Sequence, residues 1–366
     1  MVSFILGVQL QRTHALVFVK RLLHGRPLSV IPPSWTILDW DFKKRDATPP
    51  RYPLESLSFS ELQAKRSLHV ATITDLLRFS ELPKDFPSKV RIRERVELSR
   101  VIREKIELEV EEGLWIPFYL FLPKGKEGSR PCILVLHGHS AGKIETAGIV
   151  PSYQRGNALA LAQAGFVTVA PDFRGFGELG WIGEWEDPEG HLYGRSIHIQ
   201  EVIENLQMGR TALGTFLYDL GKILNYLEKR PEIDMKRIGV AGTSMGADVA
   251  VWLAILDPRI KAVVASSGSL LEYPKHPYDY SQYHACLDTI PGFRKFFRFA
   301  EIPLLVAPRP FLLTIDWKRK EGIFIKPRLE TLYQEAGSPD KLSFRFHSEG
   351  DTFRNEDAME WFRRWL

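Results

Sequence analysis

Gly242-Thr243-Ser244-Met245-Gly246 is the stretch whose residue types and spacing best suit chemistry. An apolar run, Ile238 to Ala241, leads into it, and an alanine-rich segment with Ala247, Ala250 and Ala254 leads out. That pattern is a buried strand, a sharp turn and a helix, with a serine at the tip. A glycine two residues to either side lets strand and helix approach closely around strained backbone. A serine so placed can attack a carbonyl carbon if a base takes its proton and fixed donors receive the developing charge.

Two backbone N–H groups ordinarily receive that charge, one following the nucleophile and one in a loop that ends an earlier strand. Met245 holds the first position. For the second, His137-Gly138-His139-Ser140-Ala141-Gly142 follows the apolar run Ile133 to Leu136, and the amide of His139 is the expected donor.

These groups need a frame. Ile106, Leu108 and Val110 alternate with Lys105, Glu107 and Glu109, Glu112-Gly113 turns, and Trp115 to Leu122 returns, which spells a β-hairpin. Short apolar strands follow at Pro131–Leu136, Phe166–Ala170, Ile238, Ile260–Ala265, Phe311–Ile315 and Leu342–Phe346. Helical segments separate them at Tyr153–Ala164, Glu204–Leu227, Ala247 onward, Leu329–Ala336 and Ala358–Leu366. Fully apolar strands alternating with helices predict an α/β fold, a mostly parallel, doubly wound sheet with antiparallel edge strands at its N-terminal side.

Residues 1–95 read differently, as a mainly helical extension packed on a domain of residues 96–366. Proline breaks interrupt it, and between two of them Ser58 and Glu61 have capping-box spacing ahead of Leu62, Leu68, Ile73, Leu76 and Leu77. The apolar Val2–Val8 lacks a basic flank and a small-residue cleavage pattern, so it reads as a packed element rather than a signal peptide. Long connections at about 174–203 and 266–306 are expected beyond the carboxyl ends of the strands, where ligands of such sheets bind.

In this order the motifs resemble the α/β-hydrolase fold, and more narrowly its acetyl-xylan-esterase and dienelactone-hydrolase-like branch. They are His137-Gly138-His139, Pro171-Asp-Phe-Arg-Gly-Phe-Gly177, Gly209-Arg210-Thr211, Gly242-Thr-Ser-Met-Gly246, Asp257-Pro-Arg-Ile-Lys-Ala262 and Ala307-Pro-Arg-Pro310. The resemblance covers about residues 101–366 and implies a serine hydrolase that acts on carboxylic esters through an acyl-enzyme. It also makes Asp172 and Arg174 a framing ion pair rather than catalytic groups.

The order in that fold is nucleophile, acid, histidine. The acid belongs after the strand Phe311–Ile315, where Asp316 and Glu321 both stand. Similar proteins carry an Asp three residues before a Phe, a register that Glu321-Gly-Ile-Phe324 matches, so Glu321 is preferred and Asp316 kept as the alternative. The histidine is expected after the last strand as Gly-His-x-Phe, but this chain reads Gly350-Asp351-Thr352-Phe353. Aspartate, ionising near about 3.9 in water, is a poor base for a hydroxyl. The one histidine beyond the acid is His347, which makes it the candidate base and Asp351 the alternative.

Bulk properties narrow the partners. A net charge of +4 over 366 residues, with no basic tract interleaved with aromatics, gives no nucleic-acid footprint. No apolar run reaches the length of a membrane span, so no membrane partner is expected. Cys132 and Cys286 make neither a disulfide framework nor a metal set, and Cys132 reads as a small apolar filler. A cytoplasmic setting, no cofactor, no metal and a small-molecule ester substrate are the expectations. His191 and His198 make no convincing zinc set. Ring-bearing residues in the long connections, Trp181, Trp185, His191, Tyr193 and His198 in the first and Tyr273, Tyr278, Tyr280, Tyr283 and His284 in the second, suit a pocket, lid packing or a homo-oligomer contact. Three functions compete: an esterase, a hydrolase-fold protein that binds after losing its base, and a self-associating one.

Overall fold

Alternation of apolar strands and helices builds a nine-stranded sheet in the computed structural model, which describes residues 48–125, 128–180, 198–270, 285–318 and 323–366. The strands are β1 (Val90–Glu97), β2 (Val101–Glu111), β3 (Leu114–Pro123), β4 (Arg130–Leu136), β5 (Val167–Pro171), β6 (Ile233–Thr243), β7 (Ile260–Ser266), β8 (Phe311–Asp316) and β9 (Leu342–His347). Their order is β1-β2-β3-β5-β4-β6-β7-β8-β9. β1 to β3 and the β3–β5 pair are antiparallel, and every pair from β5–β4 to β8–β9 is parallel. The sheet is thus the mixed α/β-hydrolase sheet expected, with one edge strand more: β1 is too exposed and too charged to show an apolar period.

The main helices are α1 (Phe59–Ala64), α2 (Arg66–Leu76), α3 (Asn157–Gln163), α4 (His198–Gln207), α5 (Ala212–Leu227), α6 (Met245–Leu256), α7 (Lys326–Glu335) and α8 (Asn355–Trp365). The capping box forms as spaced: Ser58 Oγ accepts from Glu61 N–H at 3.3 Å, and Glu61 Oε2 accepts from Ser58 N–H at 2.8 Å. Leu62, Ile73, Leu76 and Leu77 are buried, whereas Leu68 faces solvent. The helix expected over Glu204–Leu227 is two helices. Gly209, at φ +74°, ends α4, and Thr211 Oγ1 caps α5 by accepting Gly214 N–H at 3.0 Å. The helix expected from Tyr153 begins only at Asn157, after Arg155 and Gly156 at φ +52° and +54°. That shift leaves Tyr153 in a loop.

Residues 50–274 and 280–366 form one compact unit, so α1 and α2 share the core of the sheet domain. Residues 1–49 with 275–279 form the other; nearly all of it, Val2–Val8 included, lies outside the described residues. Core side chains such as Phe118, Phe216, Trp252 and Phe311 are fully buried, each contributing about 1.5–3 kcal/mol by leaving water. Among the described residues no helix is long and apolar enough to cross a membrane.

Candidate active site

β4 is the strand at which the order reverses, its parallel neighbours β5 and β6 lying on opposite sides. Ligand sites of open α/β sheets fall at the carboxyl ends beside such a point. The β6–α6 turn and the loop after β4 both lie there. Ser244 sits at φ +54° and ψ −122°, the left-handed half of the map that a side chain enters only under constraint. The constraint is packing: a Cβ on Gly242 would lie 2.1 Å from Gly246 O, and one on Gly246 2.2 Å from Leu136 O. Ser244 N–H is held by Ser266 O at 2.8 Å, which ties the elbow to the end of β7. The residue is half-buried, and no hydrogen bond among the described residues reaches its hydroxyl.

Met245 is the first residue of α6, so its amide has no carbonyl one turn back and points out of the helix end beside Ser244. The facing loop is set by His137. Its buried ring meets Gly138 O through Nδ1 at 2.7 Å and accepts Phe173 N–H at Nε2, 3.1 Å away. Burial lowers its pKa against the pull of Asp172, so the ring is a neutral strut between the β4 and β5 loops. Gly138 presses onto the elbow: a Cβ there would lie 2.9 Å from Thr243 O and 3.2 Å from Ser244 Cβ. His139 follows, with its ring 3.5 Å from Cys286 Sγ and edge-on to Phe176 and His198. Cys286 Sγ in turn touches Met245 Sδ at 3.7 Å.

Asp172 and Arg174 do not pair with each other. Asp172 takes Lys143 N–H at 2.7 Å and Lys143 Nζ at 2.6 Å, while Arg174 makes a two-pronged contact with Asp219 at 2.7 and 2.8 Å and meets Glu111 at 2.8 Å. Both frame the loops, as expected, but toward different elements: the Gly142 turn leaves a side-chain-free slot over Asp172, and α5 presents Asp219 to Arg174. Arg210, Arg259 and Arg309 likewise bind framing carbonyls and carboxylates, so the motifs around them build the fold and not the site.

Glu321 lies outside the described residues. Asp316, the other acid candidate, ends β8 and accepts Lys318 N–H at 2.8 Å and Gly350 N–H at 2.7 Å. The Lys318 bond first, and the Gly350 bond after the opposing effect of desolvation, hold its carboxyl below the ordinary range. His347 pairs with Asp316 across the β8–β9 ladder. Its Nδ1 accepts Glu349 N–H at 3.4 Å, its Nε2 is buried without a hydrogen-bond partner among the described residues, and desolvation with the nearby Arg354 lowers its pKa. No hydrogen bond joins it to Ser244 among the described residues.

Asp351 is exposed on the loop between β9 and α8, and that loop runs to the elbow. Ser266, whose carbonyl holds Ser244, donates its hydroxyl to Thr352 O at 3.5 Å. Phe353 N–H donates to Tyr153 O at 3.0 Å. Tyr153 is the residue that sequence reasoning missed. Its hydroxyl would lie 2.2 Å from a Cβ on Gly138, the same point that is 3.2 Å from Ser244 Cβ. Assigning it to a helix hid it; the Gly156 break was the available signal. Of the aromatics in the long connections, Trp181, Trp185, His191, Tyr193, Tyr273, Tyr278, Tyr280, Tyr283 and His284 lie outside the described residues. His198 is buried at the start of α4 and stacks on Phe176 at 5.3 Å.

A mixed sheet with a strained serine at its switch point, faced by a glycine loop from the neighbouring strand, defines the α/β-hydrolase class. The chain belongs to the Abhydrolase family, whose model matches residues 52–358. YtaP of Bacillus subtilis, assigned by name as a hydrolase, is 27% identical over 301 residues, which is 78% of this chain and 95% of YtaP. A solved structure from Bacteroides fragilis, assigned as an acetyl xylan esterase, matches with a TM-score of 0.69 at 21% identity over 87% of this chain and 83% of its own. A glucuronoyl esterase from Solibacter usitatus matches with a TM-score of 0.54 at 15% identity, over 86% of this chain and 97% of its own. At these identities the structural likeness carries the fold.

Proposed function

We propose that the protein is a serine hydrolase that cleaves a small-molecule carboxylic ester, with a short acyl group, through an acyl-enzyme on Ser244. The observation that carries this reading is the constrained backbone of Ser244 at φ +54°, with the Gly138 loop so near that a Cβ on Gly138 would lie 3.2 Å from Ser244 Cβ. Ser244 Oγ attacks the ester carbonyl carbon as its proton passes to a base, and the C=O electron pair moves onto oxygen. The amides of Met245 and His139 receive that oxyanion. Collapse expels the alkoxide, which takes the proton, and water then releases the acid by the same two steps. The names of YtaP and of the two esterases agree with this chemistry.

The base is the step at which this chain departs from its fold class. His347 is the histidine available, with Glu321 to orient it. Asp351 is the residue whose loop is tied to Ser266 and Tyr153, and therefore to the elbow. A carboxylate in that role gives slow turnover. The same departure favours a second reading, a hydrolase-fold protein that binds its ligand without turning it over. The test is hydrolysis of a short-chain nitrophenyl ester together with fluorophosphonate labelling. Turnover and labelling that both vanish in Ser244→Ala are expected. Turnover that survives the substitution would overturn the proposal, and labelling without turnover would favour the binding reading.

A further inference from the structure

We propose that the hydroxyl of Tyr153 is a catalytic hydrogen-bond donor of this site, acting on the oxyanion alongside the backbone amides. The inference rests on the reading of Ser244 as nucleophile and adds a side-chain donor to it.

The first argument is position. Gly138 has no side chain, and the point its Cβ would occupy is shared by the Tyr153 hydroxyl at 2.2 Å and Ser244 Cβ at 3.2 Å. The phenol therefore fills the gap between the oxyanion loop and the nucleophile. Any larger residue at 138 would drive the two apart. Tyr153 is anchored through its backbone, whose carbonyl accepts Phe353 N–H at 3.0 Å.

The second argument is the surroundings of the phenol. The point that a Gly138 Cβ would occupy lies 2.9 Å from Thr243 O and 3.2 Å from Ser244 Cβ, so the groups beside the phenol on the Gly138 side belong to the elbow.

The third argument is charge. Burial raises the Tyr153 pKa above its ordinary value, and the carboxylates of Glu145 and Asp351 raise it further, against the smaller opposing effect of the Ser140 hydroxyl. The phenol therefore stays protonated through the neutral range. It is a donor and not a base, and it suits an oxygen that is neutral in the ester and negative in the intermediate.

The test compares Tyr153→Phe with wild type, Ser244→Ala and Ser140→Ala on the same nitrophenyl ester. Removing one oxyanion donor lowers kcat by about 10²-fold, with KM expected to stay within about threefold. Ser140→Ala, which keeps the phenol proton, is expected to cost less than about fivefold on the same scale. If Ser244→Ala abolishes turnover and Tyr153→Phe keeps wild-type kcat, the role of Tyr153 is overturned and that of Ser244 stands. If Ser244→Ala keeps turnover, the nucleophile reading fails first. A crystal structure of the wild-type phosphonyl adduct tests the geometry without any substitution. A Tyr153 hydroxyl within about 3.1 Å of the phosphonyl oxygen supports the proposal, and one beyond about 4 Å overturns it.

Discussion

Asp316 takes Gly350 N–H at 2.7 Å, so the carboxylate that ends β8 anchors the loop that carries Asp351. That loop also accepts the Ser266 hydroxyl and donates to Tyr153 O. Asp316 therefore sets where Asp351 stands relative to the elbow.

Asp316→Ala should free the loop and lower kcat by about 10- to 100-fold, the scale of a misplaced reacting group, with KM changing less. The Asp316 carboxyl has a folded pKa below its unfolded one. Its contribution to stability is complete above the ordinary carboxylate range and is lost as pH falls through the lower folded value. Melting scans from pH 6 downward should show wild type losing its lead over Asp316→Ala. A lead that grows with acid would contradict the assignment.

Asp351→His places an imidazole where the fold class carries one. General-base assistance contributes about 10²–10⁴-fold, and a rise in kcat of at least about tenfold near pH 7 is expected. Steady-state rates across pH 5–9 read this directly, because the new histidine should add an acid limb. No rise would place the proton acceptor elsewhere.

Gly246→Ala adds a methyl 2.2 Å from Leu136 O and 2.6 Å from His137 O, all of it backbone that cannot turn aside. A loss of about 1–3 kcal/mol in urea unfolding is expected from such overpacking. Activity should fall further than stability, because β4 and the His137–Gly138 loop that faces Ser244 must shift.

Lys143 and Asp172 are both buried, and Glu178 joins them at the surface. Lys143→Met leaves the Asp172 carboxylate without its Nζ contact and should cost about 3–5 kcal/mol. The double variant Lys143→Met, Asp172→Leu should recover part of that loss. If the double variant unfolds as easily as the single one, the backbone bond from Lys143 N–H matters more than the ion pair.

His137 supplies a pH test. Burial holds its folded pKa below its unfolded value. Its stabilising contribution is complete above about pH 6.5 and is lost as pH falls through the folded value. The urea midpoint of wild type should exceed that of His137→Gln at pH 8, and the gap should narrow toward pH 5. Comparing the two proteins cancels the half-buried Asp288 and the buried Glu301, whose pKa values desolvation raises to about 7 and which act in the opposite sense.

Much of the architecture is written locally. The apolar runs that became β4 to β9, the hairpin at Glu112-Gly113, the capping box at Ser58 and the glycines around Ser244 each act through near neighbours or through burial of a whole run. The sequence alone therefore determined the sheet class, the sharp turn at Ser244 and the glycine loop that faces it. It hid β1, whose charged, exposed strand has no apolar period, and it joined α4 to α5 across a glycine. The surroundings of Ser244 were decided by tertiary structure. Lys143 and not Arg174 meets Asp172, Asp316 holds Gly350, and Tyr153 fills the gap at Gly138, contacts that join residues 15 to 34 positions apart. Spacing along the chain carries no record of such contacts, because each depends on how loops from different strands converge at one end of the sheet.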